Sequence, residues 1–171
     1  DYNGPYHSTA ARCIGVNAAA LSDYSAGGYI LSATTNPQNQ VLDTSSLVSR
    51  ASCGQFTGPT SVVVTVAGPG VNMVLMYYER TEAVTPVYYE WDGTRNSFVV
   101  RASGQRYLVP SGNTVAGDDL FLLESFVDGQ GRHVYVIYGF SWQGTLAAAA
   151  FLNTYVRSHL NQFSNSWYIY E

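Results

Sequence analysis

The sequence contains no lysine; all eight of its basic residues are arginine. Acidic residues are also scarce, so only 12% of the 171 positions carry a formal charge, about half the usual share. The net charge is -4, which offers no basic surface to capture nucleic acid or an anionic membrane. No apolar run approaches the roughly 18–20 residues of a membrane span, so none is expected in this segment. There is no Cys-x-x-Cys, no histidine pair at helical spacing, no Gly-Lys-Ser/Thr loop and no complete Gly-x-Gly-x-x-Gly. Those absences leave zinc, nucleotide and dinucleotide chemistry without a motif, and no cofactor is expected.

Cysteine occurs twice, at Cys13 and Cys53. A bridge between them is favoured over two unrelated buried thiols. In the chain-entropy picture it stabilises the fold by roughly 3–4 kcal/mol. It also implies an oxidising compartment or a hyperthermophilic source. What the chain has instead of charge is tyrosine, 14 copies, together with Ser, Thr, Asn and Gln. Such a surface suits close contact with neighbours, although tyrosine half-buried in strands explains the same count.

One pattern occurs twice: a β-rich apolar run, a glycine turn, then an apolar helical run. The first copy is Ser61–Ala67, then Gly68-Pro69-Gly70-Val71-Asn72, then Met73–Tyr78. The second is Val134–Tyr138, then Gly139–Thr145, then Leu146–Val156. Strand–glycine turn–helix units build α/β layer folds, and their turns are where such folds place ligands. Asp92-Gly93 and Asp128-Gly129 each lie between alternating runs and predict hairpins. Ala147–Ala150 predicts a helix buried on more than one face, capped by Thr145 or the Gln143 region. A helix from Ser8 or Thr9 to about Leu21, a strand at Tyr29–Ala33 and a short helix from Asp43 to about Ser52 complete the expectation. The fold class is therefore mixed α/β: one domain over residues 1–171, a central sheet with two such units, and inserted hairpins. Residues 1–10 form an extended arm, and the start at Asp1 reads as a processed or excised end.

The turns carry the candidate ligand residues Gly68, Gly70, Asn72, Trp142, Gln143, Gly144 and Thr145. A phosphate cradle at Gly68–Asn72 is weakened by Pro69, which removes a backbone donor. The plainer alternative is a tight turn with Asn72 capping the helix. Ser141, between Gly139 and Gly144, sits where a nucleophile elbow would, but its spacing is one residue too long and no aspartate follows it. Asp118, Asp119 and Asp128 form a weak calcium candidate, against the default of solvated loop carboxylates. Glu79, Glu82, Glu90 and Glu124 are too scattered in the sequence to pair as acid and base. His133 is expected on the open face of its strand.

Ala67-Gly68-Pro69-Gly70-Val71-Asn72 after a Val-rich strand resembles the strand–Gly-Gly-Pro-x-x-Asn–helix element of archaeal S-layer and S-layer-like surface proteins. Residues Asp119 to Ala150 resemble a later element of that family, through Glu124, Phe126, Asp128, Gly129, Gly131 and Arg132, then Gly139, Trp142, Gly144, Thr145, Ala147 and Ala148. The ending Ser166-Trp167-Tyr168-Ile169-Tyr170-Glu171 is similar too. The resemblance covers about residues 60–171, with Ala-Gly-Pro in place of Gly-Gly-Pro. It implies an extracellular, non-enzymatic envelope protein that associates with itself and with other envelope proteins, as a layer, sheath or filament. The expected contacts are Tyr2, Tyr6, Trp167, Tyr168 and Tyr170, through strand addition at a sheet edge. The alternative is an extracellular glycan- or anion-binding module using Trp142, Tyr138, Gln143 and the first turn. A serine hydrolase based on Ser141 comes third.

Overall fold

The computed structural model describes residues 45–109 and 118–171, which form an α/β fold. The helix and strand expected before residue 43, Cys13, and the arm with Tyr2 and Tyr6 lie outside the described residues. The first described element corrects an expectation. In place of the short helix that the sequence predicts from Asp43 to Ser52, the chain makes a small hairpin, β1 (Val48–Ser49) and β2 (Gln55–Phe56). Serine side chains divert the backbone here: Ser45 Oγ accepts the Leu47 N–H and Ser49 Oγ that of Ser52. Such local bonds compete with a helix. Cys53 and Gly54, both at positive φ, then reverse the chain.

β3 (Val62–Val66) leads through the first glycine turn into α1 (Met73–Met76), which widens into a π-helical turn at Tyr77–Glu82. Next come β4 (Val87–Trp91), β5 (Asn96–Val100) and β6 (Arg106–Tyr107), an antiparallel sheet in that order. β7 (Phe121–Val127) and β8 (His133–Gly139) form the second predicted hairpin. β8 runs through the second glycine turn into α2 (Trp142–Thr154), and the chain returns as β9 (Trp167–Tyr170). The central sheet has the order β3-β8-β7-β9, with β3 and β8 parallel and the other neighbours antiparallel. The hairpin β4–β5 is thus not part of the central sheet but of a separate one.

Strand alternation divides the core into two layers. One face of the central sheet presents Val63, Val134, Val136, Tyr138 and Leu122 to α1, to Val48 of the small hairpin, and to Val87, Phe98 and Val100 of the three-stranded sheet. Phe98 stacks on Phe140 at 4.3 Å between ring centres and meets Tyr138 edge-on, the geometries that aromatic pairs favour. The other face presents Phe121, Leu123 and Ile137 to Ala148 and Ala149 of α2. α2 is buried on this side only; Leu146 and Ala147 face outward. The alanines let one face lie close to the sheet, and do not embed the whole helix as the sequence pattern predicts. α2 covers half of its sheet face. On the other half Val62, Val64, Val127 and Tyr135 stay exposed, alongside His133.

Candidate functional site

Because β3 and β8 are parallel neighbours, both glycine turns leave the same end of the central sheet. In both turns the protein itself takes up several of the backbone donors that a ligand would use. In the first, the Val71 and Asn72 N–H groups both bond to Gly68 O, and Gly70 is buried. Asn72 uses its whole side chain: Oδ1 accepts from Val74 and Leu75, and Nδ2 donates to Thr65 Oγ1 and Val66 O. It caps α1, as its position after the turn predicts.

In the second turn the anion is already supplied by the protein. The Asp119 carboxylate accepts the Phe140 and Ser141 N–H groups at 3.1 Å each and that of Gly144 at 3.0 Å. A carboxylate against the first turn of α2 satisfies orphan donors and favours the helix dipole. Ser141, not Thr145 or Gln143, is the N-cap: its Oγ accepts from Gln143 and Gly144. Thr145 Oγ1 instead accepts the Gly139 N–H and donates to Ser141 O. Close approach dictates the two glycines. A Cβ on Gly139 would lie 2.5 Å from the Gly144 backbone, and one on Gly144 2.5 Å from Asp119 Oδ2.

Ser141 therefore has a structural partner and, among the described residues, no histidine bonded to it. Its hydroxyl donates to Asp119, which precedes it in the chain. His159, the only histidine after it, stacks on Tyr155 and bonds within its own turn. Trp142 is 45% exposed and Gln143 is exposed, but Tyr138 is buried with its hydroxyl on Glu79. The ligand face expected from these residues is not assembled.

The acidic residues are sorted differently from the sequence expectation. Asp119 and Asp128 flank β7 at opposite ends, roughly 20 Å or more apart at strand rise, so the three aspartates make no common calcium site. Among the described residues no group of three potential metal ligands comes together. Asp128 is not a solvated loop carboxylate. It is buried in an ion pair with Arg132 at 2.6 Å, and also accepts from Tyr78, Gln130 and the Arg132 backbone. Arg132 further bonds Phe56 O and Tyr78 Oη, tying the small hairpin and the π-helical turn to β7–β8. Burial raises the Asp128 pKa, but these hydrogen bonds outweigh it and hold the carboxyl below its ordinary value.

Glu79 and Glu124, which look unrelated in sequence, meet in the core. Both close the outer edge of β4. The Arg101 N–H bond to Pro86 O sets the ladder phase, which leaves Val87 and Tyr89 pointing away from β5. The Val87 N–H goes to Glu124 Oε2 at 3.0 Å and the Tyr89 N–H to Glu79 Oε2 at 3.2 Å, while Arg80 takes Tyr89 O. Burial pushes the Glu79 pKa up to about 7, against the pull of Tyr138, Arg80, the Tyr89 N–H and Arg101.

The edges of the central sheet contrast. On β3 the outward residues are Val62, Val64 and Val66. Thr60 Oγ1 occupies both the N–H and C=O of Val62, and Asn72 Nδ2 occupies Val66 O. On β9 the Ser125 N–H bond to Ser166 O sets the phase, so Trp167 and Ile169 point outward. No described residue caps them. Trp167, Tyr168, Ile169 and Tyr170 are all half-buried. A cleft of about 550 Å³ runs beside this edge, lined by Tyr107, Asn165 and Ser166 as well as β9. No known family, no curated protein and no solved structure matches this chain.

Proposed function

We propose that this chain is a non-enzymatic structural protein of the cell exterior, built into an S-layer-like layer, sheath or filament by association with copies of itself and with other envelope proteins. The observation that carries the reading is the β9 edge. An unprotected strand edge is a template for pairing with another chain, and proteins that stay monomeric blunt it with charge, proline or a covering element. Trp167–Tyr170 carries no charge and no proline, and no described residue bonds its outward N–H and C=O groups, whereas side chains cap β3 at Val62 and Val66 and β4 at Val87 and Tyr89. Paired antiparallel about Tyr168, two β9 strands set Trp167 opposite Ile169 of the other copy. No charge meets a like charge, and aromatic–aliphatic pairs of this kind favour pairing.

Three further points support the reading. The surface is poor in charge, an exposed apolar strip lies on the half-covered sheet face, and Cys53 is not a free thiol. The last suits a Cys13–Cys53 bridge formed in an oxidising compartment. Filling of the second turn by Asp119 weighs against an anion-binding role, and the setting of Ser141 weighs against hydrolysis.

Sedimentation and negative-stain imaging across a concentration series test the proposal. Ile169→Pro removes an outward N–H without touching the bonds to β7, and is expected to abolish the twofold pairing through β9. Ile169→Val keeps that donor and is expected to retain it. A wild-type chain that stays monomeric at high concentration sinks the reading.

A further inference from the structure

The buried carboxyl pair between the two larger sheets has no part in the assembly reading, and its two members are served unequally. Glu79 has two donors, the Tyr138 hydroxyl at 2.6 Å and the Tyr89 N–H at 3.2 Å. Glu124 has one, the Val87 N–H; its Oε1 is buried with no hydrogen-bond partner. The charged and titratable groups around the pair are Arg80 beside Glu79 on the π-helical turn, Tyr89 on β4, Arg101 after β5 and Tyr138 on β8. Arg101 spends its guanidinium hydrogen bonds on Thr85 O, Thr85 Oγ1 and Glu79 O, and gives none to Glu124. An ionised Glu124 would thus bury an anionic oxygen with no donor, next to a second carboxylate. A neutral carboxyl avoids most of that cost.

We propose that Glu124 holds a proton in the folded protein, and that with Glu79 it forms a proton-dependent latch between the three-stranded and four-stranded sheets. In alkali the Glu124 O–H bond breaks and the proton passes to hydroxide. Two buried carboxylates then repel across the seam, and the outer edge of β4 loses its cover at Val87 and Tyr89. Burial, then the charge of Glu79, raises the Glu124 pKa well above the ordinary carboxyl range, against the Val87 N–H and Arg101.

The test is amide hydrogen exchange of Val87 and Tyr89 in the full chain from about pH 5 to about pH 10, expressed as protection factors so that intrinsic chemistry cancels. Wild type should lose roughly tenfold of protection per pH unit from the ordinary carboxyl range up to the pH at which the latch proton dissociates, and level off beyond it. Glu124→Gln, a neutral isostere that still accepts from Val87, should lose only the share that Glu79 contributes up to about pH 7 and hold level protection above it. Equal loss in both proteins, or none in wild type, overturns the proposal. Infrared spectroscopy of the wild-type protein is an independent check: the carbonyl band of a protonated buried carboxyl should be present at neutral pH, persist at about pH 9 where Glu79 is ionised, and vanish only in stronger alkali. Its absence at neutral pH overturns the proposal even if Glu124→Gln does not fold.

Discussion

Arg132 and Asp128 tie the small hairpin and the π-helical turn to β7–β8 through a buried ion pair. Truncating Arg132 to alanine leaves Asp128 buried with its countercharge gone, and such changes cost about 3–5 kcal/mol. Urea unfolding should register that loss as a lower midpoint. Glu79 gives a pH signature of definite sign. Its folded pKa of about 7 lies above the ordinary 4.5, so the folded state binds its proton more tightly than the unfolded chain does. The stabilisation is complete below about pH 4.5 and is lost as pH rises through about 7, on the order of 3 kcal/mol for a fully buried group. Glu79→Gln should flatten the stability profile across that window. Asp128 has the opposite sign: its depressed pKa stabilises above its ordinary range, and that share is lost as acid protonates it.

Among the elements, α2 shows how a short-range pattern and a long-range partner divide the work. The glycine junction, the helix after it and the strand before it were legible from periodicity and turn residues. The true cap was not, because its energetics depend on Asp119, which lies 22 residues before Ser141 in the chain. Asp119→Ala should cost about 1–2 kcal/mol by removing the carboxylate from the helix start, seen as a lower melting temperature with the far-ultraviolet spectrum unchanged. Gly144→Ala should cost about 1–3 kcal/mol by overpacking the same spot. The carboxyl pair was hidden for a related reason: Glu79 and Glu124 are separated by 45 positions, and only the fold of β4 over β7 makes them neighbours. The expected helix at Asp43–Ser52 failed because serine side chains there compete for the backbone, a local effect that cap rules alone do not weigh.

For the whole molecule, the expected bridge from Cys13 to Cys53 closes a loop that a reductant should open. Thiol reduction is expected to destabilise the chain by about 4 kcal/mol, and mass mapping of the unreduced protein should find the two half-cystines in one cross-linked peptide. The asymmetry of the central sheet reaches further. On the assembly proposed above, pairing through β9 alone has a valence of one: two copies would join back to back and the joined strands would be consumed. A material that grows beyond such couples must be cemented by something chemically distinct, and the bare strip of Val62, Val64, Val127 and Tyr135 is of that kind. Mild detergent would then dissolve the bulk into twofold units before it separated any unit into halves.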